Sequence, residues 1–114
     1  MKVSLARASA LLLHSHPVAI PTETVWGLAA RLVDEPAIRQ IFFLKGRPLE
    51  NPLIIHLSSP QFLFSCCTQE PPALRELARV FWPGGLTLVV PVDGKKVPAL
   101  ARAGLPTAAF RIPD

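Results

Sequence analysis

The sequence predicts an α/β protein in which helices flank a layered sheet, and three observations favour this class. Half of the 114 residues are hydrophobic, which is enough for one core of ordinary density. Short apolar runs typical of buried strands alternate along the chain with segments of helical periodicity. The 13 prolines are spread between these segments, so they mark turns and element ends. The predicted organisation is a single domain over residues 1–114.

The first half of the chain is expected to contain two helices and three strands. An Ala- and Leu-rich opening helix should end before Pro17, which cannot continue it. Asp34 is a suitable N-cap for the second helix, whose apolar residues recur at helical spacing. Gly27 marks a possible bulge in the second strand. The predicted helices span 3–15 and 34–45, and the predicted strands span 18–21, 25–33 and 53–57.

The second half is expected to contain three helices and two strands. A strongly amphipathic helix should begin at the Pro71–Pro72 pair and end at the WPGG sequence. Gly104 is expected to close the last helix. The predicted helices span 61–67, 71–81 and 97–104, and the predicted strands span 86–92 and 107–113. The inner face of the amphipathic helix is expected to carry Leu74, Leu77, Ala78 and Phe81.

The amino-acid composition limits the kinds of partner and cellular compartment that fit this chain. The net charge of +4 favours anionic partners such as nucleotides or RNA, although Lys and Arg are dispersed along the chain. Cys66 and Cys67 are the only cysteines, and because they are adjacent a disulfide between them is unfavourable, which indicates a reducing compartment. No segment approaches the roughly 20 apolar residues of a membrane span. We expect a cytoplasmic protein with no membrane partner.

Three polar clusters interrupt the apolar elements near predicted strand ends, where open α/β sheets place their ligand sites. The first is PTET, residues 21–24, in which the hydroxyls of Thr22 and Thr24 either bind a ligand or cap the next element. Residue type alone favours capping. The second is KGRPLEN, residues 45–51, and the third is Arg111 in the last strand.

The KGRPLEN cluster combines the two cation types that bind phosphate. Lys45 offers a compact ammonium, Arg47 offers a planar fork, and Gly46 between them lets the backbone approach a ligand closely. A solvated turn is the simpler interpretation, since glycine and proline punctuate the segment. The chain has neither a Walker motif nor GxGxxG, so the common nucleotide-binding folds are not indicated.

The remaining candidate side chains carry weaker signals. His56 lies in an aliphatic strand, where a hydrogen-bonded core histidine is more common than a ligand, and no nucleophile with an orienting acid accompanies it. The three histidines and two cysteines lack zinc spacing, so no dedicated protein metal site is expected. Trp26 and Trp82 are expected in the core rather than as stacking platforms for bases.

Taken in order, four sequence blocks resemble the YrdC-like threonylcarbamoyl-AMP synthases: PTETVWGL, KGRPLENPLIIHL, FWPGGLTLVV and TAAFRIPD. The resemblance covers nearly the whole chain from Val18 onward. It implies a twisted open mixed sheet with flanking helices and a large positively charged concave surface. Family members continue past this C-terminus into a Ser-x-Asn motif that the chain lacks, so the domain is expected to be truncated there.

The resemblance also implies a reaction and a set of site residues. L-threonine, bicarbonate and ATP would form threonylcarbamoyl-adenylate and pyrophosphate, with Mg²⁺ carried by ATP, and partner proteins would then transfer the group to tRNA. By position in the family motifs, the implied catalytic residues are Lys45 and Arg47. The implied nucleotide-binding residues are the same two together with Asn51 and Arg111. The implied threonine-binding residues are Thr22, Thr24 and His56.

Two other functions fit parts of the same pattern. The related carbamoyl-adenylating domain of hydrogenase maturation enzymes is an enzymatic alternative, but it normally belongs to a larger chain with zinc-finger-like cysteine clusters. A non-enzymatic alternative is an RNA-binding module that holds tRNA or double-stranded RNA on the same basic surface. Its affinity would fall steeply with salt and would not depend on threonine.

Overall fold

The computed structural model describes residues 3–22 and 26–114 of the chain. Helices and strands are mixed along these residues, so the predicted α/β class is confirmed. The helices of the described part are α1 (Leu5–Leu13), α2 (Glu35–Lys45), α3 (Gln61–Cys66) and α4 (Leu74–Phe81), and the strands are β1 (Val18–Pro21), β2 (Trp26–Ala29), β3 (Ile54–His56), β4 (Leu88–Pro91) and β5 (Thr107–Arg111).

Helix α2 forms where its end signals predict it. The side chain of Asp34 accepts a hydrogen bond from the backbone N–H of Ala37 at 3.2 Å, and this satisfies one of the free donors of the first turn. Gly46 ends the helix in the left-handed conformation, at φ 60°, which glycine adopts without strain. The buried face of α2 consists of Ala37, Ile38, Ile41 and Phe42.

The strands form two sheets. Strands β1 and β2 make an antiparallel hairpin that pairs Val18 with Ala29 and Pro21 with Trp26. The other sheet has the order β3-β5-β4, in which β5 runs parallel to β3 and antiparallel to β4. This sheet is therefore mixed, as the sequence predicts.

The main core lies on one face of the three-stranded sheet. Ile55, Leu88, Val90 and Phe110 point to this face and pack with residues of α3 and α4, and the side chain of Phe110 is fully buried. The burial pattern alternates along all three strands, as the two-residue period of a strand requires. The opposite face bears a row of three paired residues, Ile54, Ala109 and Val89, and Val89 is 62% exposed.

Residues 97–104 do not form the predicted helix. They form successive turns, in which the Ala101 N–H donates to the Pro98 carbonyl at 3.1 Å, three residues back. Ala103 and Gly104 both have positive φ, 53° and 71°, and two consecutive left-handed residues cannot continue a right-handed helix. Gly104 therefore closes a turn rather than a helix.

Helix α4 ends at Phe81 as predicted, but it begins at Leu74 rather than at the Pro71–Pro72 pair, and half of its predicted inner face is wrong. Leu74 and Ala78 are buried, whereas Leu77 is 36% exposed and Phe81 is 52% exposed. The buried stripe is narrow and continues into Trp82, just after the helix. The core accommodates one row of α4 side chains, so the adjacent row remains at the surface.

The two tryptophans differ in environment. Trp82 is in the core, as predicted, and its indole N–H donates to the Leu86 carbonyl at 2.7 Å, so its one polar group is satisfied. The prediction of a core position for Trp26 is wrong, because this side chain is 64% exposed on the hairpin. A two-stranded hairpin has too little area to bury an indole on both of its faces.

Both cysteines are free thiols, with Cys66 buried in the core and Cys67 half-buried. Burial raises the pKa of the Cys66 thiol above its ordinary value of 9.0. Among the described residues, no helix combines the length and apolar character needed to cross a membrane.

Candidate ligand-binding cavity

A cavity of about 380 Å³ lies between the β1–β2 hairpin, helix α2 and strand β3. Much of its wall is aliphatic, because the buried face of α2 and the inner side of the hairpin meet there. The apolar lining includes Ile20, Leu28, Ile38, Ile41, Leu53 and Ile55. Four polar side chains named by the sequence, Thr22, Lys45, Arg47 and His56, also line it. The fold therefore brings together residues from two of the polar clusters, PTET and KGRPLEN, and from strand β3.

The end of α2 brings the two cations to this cavity. Lys45 is the last residue of the helix, where a positive charge interacts favourably with the helix dipole. The left-handed Gly46 then reverses the chain, and the Arg47 N–H donates to the Phe42 carbonyl at 3.0 Å. The Lys-x-Arg spacing thus places one cation on the last turn of the helix and the other just beyond its cap.

Arg47 is partly immobilised and retains an unused donor. Its Nη2 donates to the Pro52 carbonyl at 2.6 Å, which fixes the side chain against the following loop. Its Nε is buried and has no hydrogen-bond partner among the described residues. A buried N–H without an acceptor costs about 1–3 kcal/mol. An anionic ligand oxygen would satisfy this donor, so the guanidinium fits a phosphate or a carboxylate.

Thr22 and His56 lie at the ends of β1 and β3, respectively. Thr22 follows the last residue of its strand and is half-buried. His56 is exposed at the cavity, so its interpretation as a core histidine is wrong. Its Nδ1 lies 3.2 Å from the Ile54 carbonyl, and donation from Nδ1 to this oxygen leaves Nε2 as an acceptor for a ligand. Thr24, the other predicted threonine-binding hydroxyl, lies outside the described residues.

Arg111 and Asn51 do not line the cavity. Arg111 pairs in register with His56, so it lies one strand away from the cavity wall. Its guanidinium Nε and Nη2 donate to the Thr87 hydroxyl at 3.3 and 3.2 Å. Asn51 is exposed in the loop before β3, where its backbone N–H donates to the Pro48 carbonyl. Their nucleotide-binding roles remain predictions.

The Lys and Arg side chains among the described lining residues give the cavity a positive charge. Lys45 and Arg47 are its cations, and none of the described lining residues is Asp or Glu. Positive charge that has no neighbouring carboxylate remains available to an anionic ligand. In the same described part of the chain, no three His, Cys, Asp or Glu side chains are grouped so that they could hold a metal ion. The two cations of the described lining are therefore suited to the anionic oxygens of a ligand.

Two residues that accept hydrogen bonds from the arginines of this region were not predicted from the sequence. The Pro52 carbonyl orients Arg47, and a backbone carbonyl has no residue-type signature. Thr87 holds Arg111, but this contact depends on the strand register of the folded sheet. The only signal in the sequence was the position of Thr87 within the predicted strand 86–92.

Comparison with known proteins identifies the protein family of this chain. Residues 10–114 match the family Sua5_yciO_yrdC, which carries the description "Telomere recombination". The chain belongs to this family. The resemblance drawn from the four sequence blocks is thereby confirmed.

Particular relatives within the family carry an enzyme name. The chain is 49% identical over 96 residues to a threonylcarbamoyl-AMP synthase of Pyrococcus abyssi, covering 84% of this chain and 28% of that protein. It is 41% identical over 110 residues to the threonylcarbamoyl-AMP synthase of Bacillus subtilis, covering 96% of this chain and 32% of that protein. The chain thus spans about a third of the length of these curated relatives.

Solved structures agree with the fold. The crystal structure of P. abyssi Sua5 complexed with L-threonine matches with a TM-score of 0.90 at 41% identity, covering 99% of this chain and 34% of that one. The MTH1692 protein from Methanobacterium thermoautotrophicum matches with a TM-score of 0.76 at 25% identity, covering all of this chain and 58% of that one. The mixed α/β architecture of this chain therefore matches that of these two proteins.

Proposed function

We propose that this chain supplies the triphosphate- and threonine-binding part of a threonylcarbamoyl-AMP synthase. The observation that carries the proposal is the cavity itself. It collects Lys45, Arg47, Thr22 and His56 from three segments of a chain whose relatives bear that enzyme's name. A related structure holds L-threonine, which is consistent with an amino-acid site in this fold.

The proposed reaction has two bond-forming steps. The amino nitrogen of L-threonine adds to the carbon of bicarbonate with loss of water, which gives a carbamate. A carbamate oxygen then attacks the α-phosphorus of ATP, the bond from that phosphorus to the bridging oxygen of the β-phosphate breaks, and pyrophosphate leaves. The products are threonylcarbamoyl-adenylate and pyrophosphate. No covalent bond to the protein is required.

Lys45 and Arg47 supply electrostatic stabilisation in this scheme. Negative charge accumulates on the departing pyrophosphate, and two cations with no carboxylate beside them in the described lining would stabilise it. The buried Arg47 Nε, with no acceptor in the described structure, would donate to a phosphate oxygen. Because the cavity is largely aliphatic, it would also limit water and keep the short-lived carbamate close to the α-phosphorus.

The other site residues divide between the two substrates. Thr22, after β1, and His56, at the end of β3, would hydrogen-bond threonine in the cavity that both line. Thr24 is assigned to the same substrate by its place in the family motif. Asn51 and Arg111 are assigned to the nucleotide.

The remaining components of the reaction come from outside this part of the chain. Because Mg²⁺ is usually bound through substrate phosphates as well as protein carboxylates, it is proposed to arrive on the ATP phosphates. Partner proteins would then transfer the threonylcarbamoyl group to tRNA. A cytoplasmic location, where these substrates occur together, is part of the proposal.

The direct test is pyrophosphate release from ATP by the complete protein, with threonine and bicarbonate each present or omitted. Release should require both. Lys45→Ala and Arg47→Ala should each lower kcat/KM by about 10²-fold, the effect typical of removing one preorganised charge contact in a transition state. Lys95→Ala is the matched control, because Lys95 is exposed and lies outside the cavity lining.

Two results would count against the proposal. Release that continues without threonine would remove the substrate assignment, and full activity in both Lys45→Ala and Arg47→Ala would remove the roles of the two cations. A protein that makes no pyrophosphate but binds double-stranded RNA, with an affinity that falls steeply with salt, would support the RNA-binding alternative instead.

A further inference from the structure

A row of three polar residues crosses the sheet next to the cavity. His56 on β3 pairs with Arg111 on β5, and the β4–β5 register continues so that Thr87, one residue before β4, lies opposite Arg111. Residues paired across neighbouring strands present their side chains on the same face. His56 lines the cavity, so the row starts at the proposed threonine site and extends away from it.

Thr87 contacts Arg111 through its hydroxyl group. Two different nitrogens of the guanidinium, Nε and Nη2, donate to the same Thr87 Oγ1, at 3.3 and 3.2 Å. A hydroxyl oxygen has two acceptor positions, and this geometry uses both. An arginine side chain has several rotatable bonds and loses rotamer entropy when it is ordered. Two donors held on one oxygen fix the plane of the guanidinium as well as its position.

We propose that Thr87 is a positioning residue that holds the Arg111 guanidinium in the orientation needed to contact an anionic substrate. The inference rests on the proposed function, because it takes the nucleotide-binding role of Arg111 as given. Thr87 itself does not touch substrate in this scheme. Its contribution is to order Arg111 before ligand arrives, so that binding does not have to overcome the rotamer entropy of a long cationic side chain.

Three variants of the complete protein test the proposal. Thr87→Val keeps the shape of the side chain and removes the acceptor, whereas Thr87→Ser keeps the acceptor and removes the methyl group. Thr107→Val is the matched control, since Thr107 is a half-buried threonine like Thr87, but it is paired with Pro91 rather than with Arg111. Each variant should keep the melting temperature of the wild type within a few degrees.

The mobility of the Arg111 side chain is measured from its Nε–H resonance in ¹⁵N-arginine-labelled protein. This resonance is assigned by its disappearance in Arg111→Lys. In Thr87→Val the heteronuclear NOE of this resonance should fall, and in Thr87→Ser it should be retained. ATP titrated calorimetrically into the same proteins should bind about tenfold more weakly to Thr87→Val, a change of about 1.4 kcal/mol. Thr87→Ser and Thr107→Val should bind ATP like the wild type.

The two readouts separate the inference from the proposed function. An Arg111 resonance that is unchanged in Thr87→Val would overturn the inference whatever the binding data show. A disordered Arg111 together with unchanged ATP affinity would also overturn it, because positioning would then have no consequence for the ligand. If the wild type binds no ATP, the proposed function fails, and a positioning role for Thr87 toward this ligand fails with it.

Discussion

Gly84 should tolerate substitution poorly, because the backbone of another residue lies close to it. A Cβ atom added at Gly84 would lie 2.6 Å from the Phe81 backbone oxygen, well inside van der Waals contact. The clash is with main chain, so no side chain can rotate away to relieve it. Gly84 also donates its N–H to the Ile112 carbonyl at 2.8 Å and so ties the turn after α4 to the chain beyond β5.

The expected cost follows from these two contacts. Overpacking against a rigid neighbour costs typically 1–3 kcal/mol, and weakening the bond to Ile112 adds about 1 kcal/mol. Gly84→Ala should therefore lower the free energy of unfolding by roughly 2–4 kcal/mol, a large share of the 5–15 kcal/mol typical of a domain. Gly46→Ala, where the added Cβ meets no atom within 4 Å but φ is +60°, should cost only about 1–2 kcal/mol.

Urea denaturation followed by circular dichroism measures both variants against the wild type. Gly27→Ala is the matched control, because its Cβ meets no atom within 4 Å and its φ is not positive. The midpoint should shift most for Gly84→Ala, less for Gly46→Ala and little for Gly27→Ala, with similar m-values. Equal midpoints for Gly84→Ala and Gly27→Ala would refute the contact on which the reasoning depends.

Three further predictions concern packing and titration. Phe110→Ala, at a fully buried site, should cost about 3–5 kcal/mol in urea denaturation, whereas Phe43→Ala, at an 84% exposed site, should change stability by less than about 0.5 kcal/mol. Trp26→Phe should remove most of the acrylamide-quenchable fluorescence and Trp82→Phe should remove little, since the two indoles are 64% and 8% exposed. Burial raises the pKa of the Cys66 thiol above 9.0, so the unfolded chain loses this proton at a lower pH than the folded chain does. The free energy of unfolding should therefore fall as pH rises past 9.0, and it should fall less steeply in Cys66→Ala.

The sequence predicted elements where local chemistry decides the structure. Helix α2 has an N-cap at Asp34, a periodic apolar face and a left-handed Gly46, and each of these signals acts within a few residues. The helix predicted over 97–104 shows the opposite case. Its composition suits a helix, but positive φ at Ala103 and Gly104 follows from the path that the chain takes toward β5.

Burial was harder to predict than secondary structure, because periodicity identifies an apolar face but not the width of the surface that covers it. Leu77 and Phe81 lie on the predicted face of α4, yet the core reaches only the row of Leu74 and Ala78. Trp26 is exposed for a similar reason, since its hairpin is too small to enclose it.

The candidate site was partly predictable. The Lys45 and Arg47 pair was identifiable from residue type and spacing, and the structure places both at the cavity. The pairing of Arg111 with His56 and its contact with Thr87 depend on strand register, which residue type does not specify.

The pairing of β3 with β5 also determines the order in which the site can assemble. The β1–β2 hairpin and helix α2 depend on contacts between near neighbours in sequence, so these two walls can form early. Strand β3 pairs only with β5 among the described strands, and β5 follows β3 in the chain only after α3, α4 and β4. During synthesis, Lys45 can therefore occupy its helix long before His56 has a strand to pair with. Formation of the ligand site should coincide with this long-range pairing, and a ligand that bridges the two walls would favour its completion.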